Sequence, residues 1–446
     1  MKATKNEIIT ESQQSTPSQD KSFSSPEYQR SRGIYMAQCT FEYLLSLLVT
    51  DAFLSKLLTH LGLDDATIGI ISSFVSLAFA IQIFALFLYK LKLDSKTTTL
   101  LFYPLSRLIF STLYLIPFIP IGGTTVKVLI MCLILVAYSC KYLALNVLYK
   151  WANSYVAPTK RGTFSATKEM ISLATGIVFT AIVGFVFDSM EASGNIRGGF
   201  VMLAILAFTI STLDVFCLIF IKRERKVQIP REKKTLKNIL KNTFGNKNYR
   251  SVLVFFVIYN VATHFNSGFL GTFKIKELAM SVFVIQIINI LGNVTRITVS
   301  KPFGRFSDKR SFASGMSLAL MIMALGYLCI VFTTPSTWFF IAGYSILHAI
   351  AIAGLNQNSF NIVYSYVDSE YITEALAIKN FIGGICGFAT TIVSSRILKY
   401  IQNNGNSIFG IQIYAQQFLA IMSFITMLIA IAVMKFVVCK QKVMKQ

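Results

Sequence analysis

Charge is what this sequence lacks. Asp, Glu, Lys and Arg together make up 14% of its 446 residues, and acids are the scarcest, at 20 against 42 Lys and Arg. Cysteine is sparse and unpatterned. The seven, at 39, 132, 140, 217, 329, 386 and 439, form no CxxC pair and no Cys/His cluster. That spacing argues against a zinc site and a disulfide framework, so no metal or cofactor is expected. No Ser/His/Asp set or phosphate-binding loop stands out, so enzymatic chemistry is not expected either. Residues 1–33 contain no apolar run, which argues against a signal peptide and reads as a disordered tail.

What is present is apolar. Hydrophobic residues reach 54%, with 38 Phe and a mean hydropathy of +0.60. Soluble domains lie nearer roughly 45–50%. The surplus is gathered into uncharged runs long enough to cross ~30 Å of hydrocarbon as helices. Backbone amides in lipid must bond within their own segment, and continuous apolar runs lack the alternation of barrel strands. The expected fold class is therefore all-α membrane protein, with about 12 transmembrane helices. The first six lie at 36–58, 66–89, 98–119, 126–149, 169–189 and 198–221. The second six lie at 251–273, 279–300, 311–332, 338–363, 380–398 and 411–434. We number them spans 1 to 12.

The formal charge of +22 would suit a nucleic-acid binder, but the basic residues sit in short connections between spans. With the N-terminus inside, 32 Lys and Arg fall on inside connections and tails and 6 outside. Basic residues favour the cytoplasmic side. The expected address is a bacterial plasma membrane, multi-pass, with both termini cytoplasmic. No nucleic-acid partner is expected. Residues 222–250 carry 11 Lys and Arg and read as a linker that also meets anionic membrane lipid. The linker divides a 34–221 bundle from a 251–437 bundle, with 438–446 as a second tail.

The two halves are related. Ser154-Tyr155-Val156 recurs as Ser365-Tyr366-Val367, and the same offset pairs Ala166 with Ala377, Lys168 with Lys379, Ile171 with Ile382, Gly176 with Gly387 and Thr180 with Thr391. Two pseudo-symmetric six-helix bundles follow, a parallel-repeat transporter architecture. Between spans 8 and 9 stands Gly304-Arg305-Phe306-Ser307-Asp308-Lys309-Arg310. Between spans 2 and 3 stands Lys90-Leu91-Lys92-Leu93-Asp94-Ser95-Lys96, which keeps the acid and the bases but not the glycine.

On these motifs the chain resembles the major facilitator superfamily over residues 36–434. The turn Thr159-Lys160-Arg161-Gly162-Thr163 is similar to that family's arginine-glycine turn. The segment from Arg161 to Glu169 is similar to one in bacterial members, chiefly from low-GC Firmicutes. The resemblance implies a gate in which a loop Asp meets a helix of the opposite half. Asp94 would then face Lys379, and Asp308 would face Lys168, with Gly304 and Arg310 completing the motif. Ordinary basic-end charge placement is the alternative.

Ionisable and polar groups inside spans mark candidate function. In span 1, Gln38, Glu42, Ser46 and Thr50 share a side. Glu42 is either a proton carrier or a structural partner of Lys141. Asp51, on the opposite face, is a second proton-coupling candidate or a contact to another helix. Span 7 carries Asn260, Thr263, His264, Ser267 and Lys274 in one stripe, and span 8 carries Gln286, Asn289, Asn293, Arg296 and Ser300 in another. These rows either bind a solute or join helices. Span 10 adds His348, Asn356, Gln357 and Asn358. The candidate solute-binding set is Lys141, Asn260, His264, Asn289, Asn293, Arg296, Asn356 and Gln357. Spans 1, 4, 7 and 10 are expected to line the cavity, helped by 5, 8 and 11.

The reading that follows is a monomeric secondary transporter for a small polar or anionic solute. It would work by alternating access, as a symporter or antiporter if protons couple to it. A lipid flippase or scramblase, or a drug efflux carrier on the same fold, is the alternative.

Overall fold

A computed structural model describes residues 25–81, 84, 94–120, 122–156, 161–223, 245–364, 366–367, 372–408 and 410–441. Within some of its helices the side chains, among them those of Asp308 and Gln357, lie outside the described ones. Helices occupy all twelve expected positions. Among the described residues ten are long and apolar enough to cross a membrane, and Asp65–Ile81 is a shorter apolar helix. We call the end with the Lys- and Arg-rich connections the basic end, and the opposite one the far end.

Span 1 departs from expectation twice. Its helix starts at Pro26–Leu48, so residues 26–33 are not tail. Ser25 caps it, Pro26 stands in the first turn and Glu27 faces the positive helix end. The span then breaks at Val49–Thr50 and resumes as Asp51–His60. Asp51 sits in the left-handed region at φ 45°, a conformation Asp tolerates better than most residues. Span 7 breaks at the corresponding place. Lys247–His264 ends at Phe265, and short 3₁₀ and π turns carry the chain to Glu277. Span 2 is likewise divided at Ser73, into Asp65–Ser72 and Phe74–Ile81. Span 12 begins at Ala415 rather than 411, because Ser407–Ile408 and Ile411–Gln412 form a two-residue hairpin before it. Gly405, Asn406 and Gly410, all at positive φ, turn the chain there.

Each half has its own buried core. Leu45, Phe53, Phe110, Ile130 and Phe200 centre the first, and Phe255, Met316, Met323, Tyr327 and Met427 the second. Between halves, span 11 packs on span 2 and span 5 on span 8, which are equivalent pairs under the repeat. At the far end Ala66 of span 2 joins Phe269, Leu398 and Leu419 in one cluster across the seam.

Candidate functional site

Below that seam lies a cavity of about 380 Å³. Ser76 and Phe79 of span 2 form its first-half wall, and spans 7, 10 and 11 supply the rest. From span 7 come Phe256, Tyr259, Asn260 and His264, and from span 10 Asn356 and Ser359. Lys379, Asn380, Gly383 and Gly384 come from span 11.

His264 ends the helical part of span 7 and closes the top of the chamber. Its Nδ1 lies 2.8 Å from the Asn260 carbonyl, which only accepts, so Nδ1 carries the proton. In the neutral ring Nε2 then accepts from the Ser76 hydroxyl at 2.6 Å, a hydrogen bond between the halves. Span 11 comes this close because it is small here. A Cβ on Gly387 would stand 2.8 Å from the His264 ring, and one on Gly384 would collide with the Ser76 carbonyl. Lys379 extends its Nζ to 3.5 Å from the Ser359 carbonyl and 4.6 Å from the Phe256 ring centre. Among the described residues no carboxylate lies within ion-pair distance of it.

A second polar group fills the middle of the first half. Arg107 of span 3 is 1% exposed and Asp214 of span 6 is fully buried. Arg107 Nε stands 2.6 Å from Asp214 Oδ2, and its Nη2 lies 3.6 Å from Glu42 Oε1. Lys141 Nζ meets the same Glu42 oxygen at 3.1 Å. Gln38 donates to Asp214 at 2.8 Å and to the Tyr103 hydroxyl at 3.1 Å, while the Arg107 guanidinium lies over the Tyr103 ring. Two acids thus meet two bases, so the cluster balances its own charge.

A third set clasps the far end. Lys274 of span 7 holds both oxygens of Asp51, at 3.0 and 3.1 Å, and Asn289 of span 8 donates to Asp51 at 2.9 Å. Lys276 pairs with buried Asp65, which also accepts from Gln402 at 2.9 Å. Asp188 of span 5 accepts the free amides of Val282 and Phe283 at the start of span 8, at 3.1 and 2.6 Å. An acid suits that site because the helix N-terminus presents unpaired N–H groups.

The candidates therefore divide by place. Asn260, His264 and Asn356 line the chamber. Lys141 belongs to the first-half cluster, and Asn289 to the clasp. Arg296 pairs across the halves with Glu169 at 3.0 Å, and Asn293 stands one turn before it on span 8. Among the described residues the wall of this chamber comes from spans 2, 7, 10 and 11; of the expected spans 1, 4, 7 and 10, helped by 5, 8 and 11, it is 7, 10 and 11 that line it. Spans 1 and 4 spend their polar groups on each other through Glu42 and Lys141.

Of the gate residues, Asp94 stands at the residue before span 3, accepts from the Thr97 hydroxyl and lies 3.9 Å from Arg223. Thr97 foremost, with Arg223 adding to it against slight burial, holds its carboxyl below the usual range. Lys168 lies over the Tyr35 and Tyr149 rings. Gly304 falls inside the Val282–Lys309 helix, and Arg310 stands over the Phe306 ring at its end.

Sequence reasoning missed Ser76, Asp65, Asp188 and Asp214. Asp214 had a signal, as a lone acid in the uncharged run of span 6. Ser76 had none that separated it from other serines.

Two helical bundles about a polar chamber, closed at one end by charged side chains, define a membrane carrier scaffold. The chain belongs to the Major Facilitator Superfamily, whose family model matches residues 35–391. The family places it among membrane transporters rather than enzymes. No curated protein matches it. Among solved structures it is similar to the nucleoside transporter NupG in a mutant form. The TM-score there is 0.71 at 15% identity, covering 92% of this chain and 99% of the other. A bacterial homologue of the iron transporter ferroportin, in an inward-facing state, gives 0.65 at 11% identity, covering 92% and 98%. A bacterial homologue of the human lysosomal transporter Spinster, inward-facing and unoccupied, gives 0.63 at 13%, covering 95% and 97%. At such identities the likeness is one of fold.

Proposed function

We propose that this chain is a secondary carrier that moves a small polar or anionic organic solute by alternating access, with protons as the coupling ion. One observation carries the reading. The chamber has walls from both halves and lies on the basic side of a seam held by Asp51–Lys274 and Asp65–Lys276. Rocking the halves would break those pairs and expose the same chamber at the far end. With the basic end in the cytoplasm, as the distribution of Lys and Arg favours, the arrangement is inward-facing. The motif residues Asp94, Lys168, Gly304, Asp308, Arg310 and Lys379 would form the reciprocal gate in the opposite state. Glu42 is the proton site of this reading. It lies between Lys141 and Arg107, so protonating it would leave Lys141 without its counter-charge, while Arg107 keeps Asp214, and would loosen span 1 from span 4.

The test is counterflow in proteoliposomes, with solutes first selected by thermal shift of the purified protein. Saturable exchange of a stabilising solute is expected, along with uptake driven by an imposed pH gradient in wild type but not in Glu42→Gln. Stabilising solutes that never exchange would sink the carrier reading. Uptake that still follows the pH gradient in Glu42→Gln removes the coupling role of Glu42 alone.

A further inference from the structure

We infer that Lys379 is the anion-receiving group of the chamber, and that the solute is a small monocarboxylate with a ring or hydroxylated body. This deepens the carrier reading and rests on it. The inference starts from a contrast among the intramembrane cations. Arg107 and Lys141 meet Glu42 and Asp214, Lys274 meets Asp51, and Arg296 meets Glu169. Lys379 lines the chamber, yet no described carboxylate stands within ion-pair distance of it. Lys379 is half-buried, and a charge withdrawn even partly from water is costly without a counter-charge. The Phe256 ring and the Ser359 carbonyl offset part of that cost and leave the net charge in place. A bound anion would complete it.

The resemblance to the superfamily assigns Lys379 to a gate facing Asp94. In this structure Asp94 stands beside Arg223 instead, and the Lys379 side chain is part of the chamber wall. Its repeat mate Lys168 also lies over rings, those of Tyr35 and Tyr149, but does not line the chamber. The repeat therefore keeps the lysine in both halves, and of the two it is Lys379 that lines this chamber.

The other lining groups specify the rest of the solute. Among the described lining residues Lys379 is the one Lys or Arg, and it suits one negative charge. A compact ammonium on a flexible stem serves a single carboxylate as a point charge. Asn260, Asn356, Asn380 and His264 offer amide and imidazole groups for hydroxyl or ring-nitrogen partners. Phe79, Phe256 and Tyr259 offer apolar faces to a flat body. Such a division, apolar walls with a few polar groups, is usual for small-molecule sites.

Matched acid and neutral probes test this on the purified full-length protein. Nicotinate is set against nicotinamide, and glucuronate against glucose, by thermal shift and titration. The acids should stabilise the wild type more than their neutral mates. Lys379→Gln should weaken acid binding about tenfold or more, the size expected for losing a charged hydrogen bond. Lys379→Arg should retain the preference for acids, which shows that charge at this position decides it. The ligand-free melting temperature of each variant reports whether it is folded.

Equal stabilisation by acids and neutral mates overturns the inference, as does an acid preference that survives in Lys379→Gln, or no response to either acid. Exchange of a neutral solute in counterflow sinks the anion assignment and leaves the carrier reading standing. Loss of all exchange, with acid binding intact, does the reverse.

Discussion

The two halves share a repeat but divide the chemistry. The first half gathers Glu42, Arg107, Lys141 and Asp214 into one balanced group, and meets the second half through Asp51, Asp65 and Glu169. The second half turns neutral amides, His264 and Lys379 toward the chamber. The aligned positions show the change directly. Asn356 and Gln357 of span 10 correspond to Leu145 and Asn146 of span 4. Most of the chamber wall comes from the second half, with Ser76 and Phe79 as the share of the first-half body. Charge pairing within the first half makes that body internally consistent, and the clasp joins it to its mate at one end.

The largest effect should come from breaking the first-half group. Arg107→Ala leaves Asp214 and Glu42 short of a counter-charge, and Asp214 is fully buried. Breaking a buried pair costs ~3–5 kcal/mol, whereas replacing both partners with apolar or neutral groups of similar size costs far less. Arg107→Ala should therefore unfold at much lower temperature in detergent, and Arg107→Met with Asp214→Asn should recover most of the loss. A double variant as unstable as the single one would mean that Arg107 acts through packing, on the Tyr103 ring for example, rather than through charge.

The clasp comes next, and it joins the halves instead of separating them. Asp51→Asn keeps a residue type that accepts the left-handed backbone at this position. It removes the charge opposite Lys274, which is 6% exposed. The far end should open, since among the described residues the polar contacts of the Asp51 carboxylate are to the second half. A loss of ~1–2 kcal/mol moves a two-state ratio by about five- to thirtyfold. Spin labels at Asp64 and Asn404, both exposed and both at the far end, report it as a longer distance population. An unchanged distance distribution would show that the apolar seam around Phe269, Leu398 and Leu419 holds the end closed without the ion pair.

Much of this was legible before any coordinates. Uncharged runs mark the spans because lipid leaves the chain few alternatives, and the 211-residue offset marks the repeat. The polar stripe of span 7 led to Asn260 and His264 at the chamber. The breaks in spans 1 and 7 were not legible. Leu48-Val49-Thr50 reads as continuous apolar helix, and what bends it is the pull of Lys274 and Asn289 on Asp51, from residues more than 200 positions away. The same reason hid the chamber wall. Ser76 and the span 11 glycines reach the chamber only through how the halves lean together, and that leaning is set by packing across the seam. The early helix start at Pro26 is a different case. Ser25-Pro26-Glu27 is a helix-start signal by local rules, outweighed in the reading by the polar composition around it.

The smallest effect should come from a pair that looks similar to the clasp but stands in solvent. Asp64 and Lys127 meet at 3.2 Å within the first half, with side chains 46% and 41% exposed. Partial burial opposes ionisation of Asp64, but the Thr67 hydroxyl, then Lys127 and the Thr67 amide outweigh it, so its carboxyl lies below the usual range. A carboxyl lowered by folding adds stability above its unfolded pKa of ~3.9, and loses that contribution as pH falls through the lowered value. Asp64→Asn keeps the helix cap, since Asn caps as well as Asp, and removes only the charge. Exposure and screening limit the cost to under ~1 kcal/mol at pH 7. The gap between wild type and variant melting temperatures should close on acidification to about pH 3, while the gap for Arg107→Ala persists because its origin is buried. A large Asp64→Asn effect at neutral pH would mean that the first half relies on its rim as much as on its interior, and the contrast between surface and buried pairs drawn here would fail.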